Sequence, residues 1–142
     1  MLNWQLLAAQ MKKLKRIKEK KEEIFNLYQR ELNQIKDLIK PQYFDPRVDP
    51  VFWFSSFICE NSNKLSAYLI QEHNIQTRRG FYPLNLQPCY QNKNIIPNIQ
   101  NKYKVSEDFY KSFISLPSSV TLDEETIIKV SSAIKKYYED RN

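Results

Sequence analysis

Glycine is nearly missing: Gly80 is the only one in 142 residues. Turns that cradle a phosphate need glycine where backbone N–H groups approach a ligand or φ turns positive, so a self-contained nucleotide or cofactor site is not expected. Histidine is as scarce. His73 stands alone at an expected helix end, without the partners a triad or zinc site requires, and reads as an exposed residue helped by the helix dipole. The two cysteines, Cys59 and Cys89, have neither CxxC spacing nor a secretory leader, which points to reduced thiols and a cytoplasmic setting. No apolar run approaches the roughly 18 to 20 residues that cross a bilayer, so no membrane partner is expected. Neither a catalytic nor a metal-binding residue emerges.

What is present is globular: 42% apolar, 13% aromatic and 27% charged residues. That composition and length suit one core with an appendage. Residues 1–40 read as a long linker helix and residues 41–142 as a small α+β domain. From Leu2 to Ile39 there is no proline or glycine, and apolar residues recur at Leu7, Met11, Leu14 and Ile17, then at Ile24, Tyr28, Leu32, Ile35 and Ile39. A helix of about 30 residues measures about 45 Å, longer than the roughly 40 Å diameter of a globule of this size. Something outside the small domain is therefore expected to cover its first half, where Trp4, Leu6 and Leu7 widen the apolar surface.

The net charge of +6 is concentrated in Lys12, Lys13, Lys15, Arg16, Lys18, Lys20 and Lys21. A basic helix face can bind nucleic acid by releasing counterions. Glu19, Glu22 and Glu23 sit inside the cluster, however, and favour a solvated face with pairs such as Lys15 with Glu19 and Lys18 with Glu22. The lysines read as solvated, unlike a Schiff-base lysine, which needs a desolvated pocket.

Further along, Val51 to Cys59 is the strongest strand signal and is placed near the centre of a sheet. Asn61 or Ser62 is expected to cap a helix from Asn63 to His73 with Leu65, Tyr68 and Leu69 on its apolar face, followed by a strand from Ile75 to Arg78. Gln91 to Lys104 reads as a long loop, and Ser106 as the cap of a short helix carrying Phe109, Tyr110 and Phe113. Thr121 with Glu124 reads as a capping box for a last helix burying Ile127, Val130, Ile134 and Tyr137. The fold class expected is α+β: a long N-terminal helix, then a small, mainly antiparallel sheet packed with helices.

Arg78 and Arg79 follow a strand and open a loop dense in aromatic, proline and amide residues. From the residues alone two arrangements fit equally. The arginines can grip a carboxylate or phosphate while the aromatics stack on a sugar or base. Equally, Arg78 can pair with a structural carboxylate while Phe81, Tyr82 and Leu84 fill the core.

The run Thr77-Arg78-Arg79-Gly80-Phe81-Tyr82-Pro83-Leu84-Asn85-Leu86-Gln87-Pro88-Cys89-Tyr90 resembles the substrate-side loop of the DegT/DnrJ/StrS family of sugar aminotransferases. The block from Ser115 to Glu125 resembles the same family's entry into its last helix. Ala9 to Ile17, Glu22 to Tyr28, Phe52-Trp53 and Leu65 to Leu69 continue the similarity in order. The resemblance implies the small C-terminal domain of a fold-type I aminotransferase, with the long helix linking it to a large domain. Members move an amino group, usually from glutamate or glutamine, to a keto sugar, often one carried on a nucleotide, and are commonly dimeric. It further implies substrate-side contacts at Arg78, Tyr82, Asn85 and Gln87. Asn85 stands where the family commonly has histidine, and Arg79-Gly80 replaces a common Pro-Phe, which makes this loop more polar and flexible.

The family's pyridoxal phosphate lysine, ring-nitrogen aspartate, stacking aromatic and phosphate-binding hydroxyls all belong to the large domain. The expectation is a truncated or split part of such an enzyme that binds no cofactor and is inactive alone. Its expected partners are the large domain of the same enzyme or a homologous subunit. An interaction module docking on such a domain is the second reading, and a nucleic-acid-binding protein the third.

Overall fold

The computed structural model describes residues 4–91 and 102–141. Helix runs over Trp4–Met11 (α1) and Leu14–Leu32 (α2), then through a 3-10 turn at Asn33–Ile35. The long N-terminal helix is thus present, but in two lengths and ending before Pro41. At the break the Lys13 amide bonds to the Gln10 carbonyl at 2.9 Å, three residues back, which tightens the turn. Ile39, expected on the helix, belongs instead to the strand Ile39–Pro41 (β1), where pairing with the next strand buries it almost completely.

The remaining strands are Ser55–Cys59 (β2), Arg78–Arg79 (β3) and Phe113–Leu116 (β4). They form one antiparallel sheet in the order β1-β2-β4-β3, so β2 lies inside the sheet as its sequence predicts. Phe57 faces Pro41 on one side and Ile114 on the other. The strand is shorter than expected because Pro50 and a tight turn, Trp53 N–H to Val51 C=O at 2.8 Å, hold the preceding residues out of the ladder. Phe52 instead stacks on Phe25 of α2, centroids 4.5 Å apart, and meets Phe44 edge-on at 5.2 Å.

Three further helices are Ser62–His73 (α3), Lys104–Ser112 (α5) and Glu124–Glu139 (α6), with the short Pro88–Gln91 (α4) between α3 and α5; of these, α3 and α6 carry core residues. α2 and α6 pack together, α2 lies against β2, and α3 packs on α6. Ile24, Phe25, Tyr28 and Leu32 of α2 meet Ile127, Val130, Ile134 and Tyr137 of α6, Leu65 and Leu69 of α3, and Phe57 and Ile114 of the sheet in one buried cluster. Steps of three and four residues between these positions account for the buried stripe of each helix.

Several ends differ from expectation. Asp123, not Thr121, caps α6, its carboxylate accepting the Thr126 amide at 2.9 Å, while the Thr121 hydroxyl bonds to Ser119. Neither Asn61 nor Ser62 caps α3 through its side chain. Asn61 takes a left-handed backbone (φ 56°), and Ser62 donates its hydroxyl to the Lys111 carbonyl at 2.7 Å. Asn74 (φ 54°) closes α3 in the same left-handed region, with the Ile75 amide returning to Leu69 C=O at 2.9 Å. Asparagine tolerates that region best among residues with a side chain, so it does here what glycine does elsewhere. Ile75 consequently belongs to this closing turn rather than to a strand, and the following strand is shifted to Arg78–Arg79. Ser106 lies inside α5 and Phe113 in β4. Residues 92–101, most of the expected loop, lie outside the described residues.

Candidate functional site

A cleft of about 740 Å³ opens where α2, the entry to β2, β3 and the β4–α6 connection meet. Lys21 enters it from α2. Its ammonium donates to the carbonyls of Ser118 at 2.6 Å and Trp53 at 2.9 Å and lies 5.3 Å from the Trp53 ring centroid. Burial pushes its pKa below the usual lysine value. Lys21 is therefore not one of the solvated lysines that the basic run suggested. Elsewhere in the run Lys18 pairs with Asp49 rather than Glu22, Lys15 lies 3.8 Å from Glu19 and Lys20 3.2 Å from Glu23.

Arg78 enters the cleft from β3, its guanidinium carbon 5.7 Å from the Phe54 ring centroid. Trp53 and Phe54 meet edge-on at 6.4 Å and are well exposed. Lysine, tryptophan, phenylalanine and arginine thus stand in succession along the cleft. Its hydroxyls include Thr77, bonded to Ser66 at 2.7 Å, and Ser115, bonded to Ser56 at 3.2 Å. Among the described residues that line it, two are cationic and none is a carboxylate.

Successive residues of a strand point to opposite sides, and Arg79 accordingly turns away from Arg78. Its guanidinium stacks 4.1 Å from the Tyr110 ring centroid, with Nε buried and without a hydrogen-bond partner. Tyr82 meets the same Tyr110 edge-on at 5.2 Å. Asn85, in a 3-10 turn at Leu84–Leu86, donates to the Glu107 carboxylate at 2.6 Å. Gln87 accepts a weak bond from the Cys89 thiol at 3.8 Å. Of the four residues singled out by sequence, only Arg78 lines the cleft. Tyr82 and Asn85 are held against α5, and Gln87 follows them. At Gly80 an added Cβ would lie 3.2 Å from the Phe113 ring, so close approach rather than positive φ accounts for the glycine.

The other polar residues are structural. His73 is half-buried at the end of α3 and shares a hydrogen bond with the Tyr68 hydroxyl at 3.1 Å. Cys59 is buried, its thiol pushed up to about 11 by desolvation, whereas Cys89 is exposed. Tyr28 is fully buried and donates to Pro117 C=O at 2.9 Å, and burial raises its pKa well above the usual phenol value. Among the described residues, no helix is long and apolar enough to cross a membrane.

Comparison with known proteins places this geometry. The sequence matches the DegT/DnrJ/EryC1/StrS aminotransferase family over residues 2–135. It is 26% identical over 136 residues to a GDP-perosamine synthase from Escherichia coli O157:H7, covering 94% of this chain and 35% of that protein. The fold superposes on a DegT DnrJ EryC1 StrS aminotransferase from Brucella abortus with a TM-score of 0.75 and 24% identity, covering 92% of this chain and 34% of the other. It superposes on DesV of S. venezuelae, solved with a ketimine intermediate, with a TM-score of 0.82 and 20% identity, covering 94% and 35%. The chain therefore belongs to the DegT/DnrJ/EryC1/StrS aminotransferase family and spans about a third of the length of the relatives it matches.

Proposed function

We propose that this chain is the C-terminal, substrate-side domain of a pyridoxal-phosphate-dependent sugar aminotransferase, acting with a large domain or homologous subunit on a keto sugar. The observation that carries the reading is a family match over residues 2–135 in a chain spanning only about a third of its relatives. Arg78 would hold an acidic group of donor or substrate, and Tyr82, Asn85 and Gln87 would shape the sugar's side of the site. A sugar carried on a nucleotide fits the GDP-perosamine synthase relative. Two free cysteines suit a cytoplasmic setting.

Pyridoxal phosphate requires an amine free to form an imine and a carboxylate to face its ring nitrogen. Among the described residues, Lys21 is the one amine lining the cleft, it is held by two carbonyls, and no carboxylate lines the cleft. The described residues do not fit the cofactor, and its chemistry is assigned to the family's large domain. The chain alone is accordingly proposed to be inactive. Borohydride treatment with pyridoxal phosphate, read by intact mass, tests this: no stoichiometric adduct on the chain alone is expected, and a single reduced imine on one lysine would overturn it.

One observation favours docking on a larger partner as the physical form of that role. Trp4, Met11 and Leu14 are 77%, 58% and 53% exposed, and every side chain described from Trp4 to Arg16 is exposed. Apolar side chains on a helix that its own domain does not cover are the mark of an interface.

A further inference from the structure

We propose that Glu107 is a positioning residue for the loop that follows β3: from α5 it holds Asn85, and with Tyr110 it keeps residues 80–87 in one conformation before any ligand arrives. The inference rests on the aminotransferase reading, in which Tyr82 and Asn85 shape the sugar's side of the site, and names the element that holds them there.

Topology brings the two segments together. β3 and β4 are antiparallel, with Arg78 opposite Ser115 and Arg79 opposite Ile114. α5 runs into β4 without a connecting residue, Ser112 ending the helix and Phe113 beginning the strand. A chain that leaves β3 therefore runs back along α5, and its contacts continue the register of the strands. Gly80 lies against Phe113, Tyr82 meets Tyr110 edge-on at 5.2 Å, and Asn85 donates to Glu107 at 2.6 Å. Glu107 and Tyr110 are three residues apart, the spacing that puts them on one face of a helix.

Burial sets that face apart. Glu107 and Tyr110 are half-buried, whereas residues 104–106, 108 and 109 are exposed. α5 gives no buried side chain to the core, so this face covers the loop rather than filling the interior. The helix is fastened to the domain independently of the loop: the Ser62 hydroxyl donates to its Lys111 carbonyl at 2.7 Å, and Arg79 of β3 stacks on Tyr110.

Glutamate gives the contact a direction. An ionised carboxylate only accepts hydrogen bonds, so it fixes which end of the Asn85 amide faces α5 and turns Oδ1 the other way. A bond to a charged acceptor is also stronger than one between neutral groups. A loop ordered in advance loses less conformational entropy when a ligand binds.

Backbone 15N relaxation on the full chain tests this. Glu107→Ala should drop the order parameters of the Leu84 to Gln87 amides from about 0.85 to below about 0.6, while the amides of α6 stay rigid. Glu107→Gln, which still accepts from Asn85, should restore most of that order, and Asp108→Ala, the neighbouring acid paired with Lys104, should leave the loop unchanged. In a chimera in which this chain replaces the matching third of the E. coli O157:H7 GDP-perosamine synthase, Glu107→Ala should raise KM for the precursor of GDP-perosamine about ten-fold with kcat within about two-fold, and Glu107→Gln should bring it back. Unchanged loop order in Glu107→Ala, equal loosening of α6, or a fall in kcat at constant KM would each overturn the proposal. A folded, cofactor-loaded chimera that makes no GDP-perosamine with Glu107 in place refutes the aminotransferase reading instead, and the order parameters still decide whether Glu107 holds the loop.

Discussion

Lys21 shows how a residue's place in a pattern can say more than its type. Ile17, Lys21, Ile24, Tyr28 and Leu32 follow one another at helical spacing, so the lysine occupies a core-facing position of α2. The surrounding basic run hid that signal. Arg78 was legible because two arginines after a strand are unusual, whereas the burial of Arg79 on Tyr110 was not, since the ring comes from an element about 30 residues away. Two predictions belong at this scale. Tyr28→Phe leaves the Pro117 carbonyl without its donor and should cost about 1–2 kcal/mol in a urea melt; an unchanged midpoint would deny the bond. The thiols should separate in reactivity: at pH 8 an aromatic disulfide reagent should modify the exposed Cys89 at once. Cys59 should react only after denaturant is added, because it is buried and its thiol is raised to about 11.

Elements were legible where their own periodicity specifies them and illegible where a neighbour does. The buried stripes of α3 and α6 follow from Leu65 and Leu69 and from Ile127, Val130, Ile134 and Tyr137. The strands β1 and β4 have three and four residues, too few for alternation to show, and only pairing with neighbouring strands makes them strands. Phe57 joins these pairings to the aromatic group on α2, and Phe57→Ala should cost about 3–5 kcal/mol, enough to unfold much of the population. A folded variant with an unchanged denaturation midpoint would contradict that placement. The cap of α6 gives a pH dependence. Thr126 bonding holds the Asp123 carboxyl below its ordinary value, so the carboxylate stabilises the helix above the unfolded pKa and the gain is lost as pH falls through the lower folded pKa. Asp123→Ala should therefore lower the thermal midpoint at pH 7 and converge on the parent in acid, while Asp123→Asn, which caps without titrating, should keep most of the neutral-pH stability.

At the scale of the whole molecule, the small domain has its own core, and none of the described side chains of α1 belongs to it. The helix carries Trp4 and Met11 into solvent, and Leu14 follows at the start of α2. Length against diameter already implied this overreach, although the break at residues 12 and 13 was not visible in a segment without proline or glycine. We propose that this surface and the loop from Thr77 to Tyr90 work only beside a large domain that binds the cofactor. The most direct measurement replaces the matching third of the E. coli O157:H7 GDP-perosamine synthase with this chain and follows formation of GDP-perosamine, beside the chain alone. Turnover by the chimera, lowered by Arg78→Gln, with none from the chain alone, is the predicted result. Turnover by the isolated chain, or a folded, cofactor-loaded chimera that transfers no amino group, would contradict it.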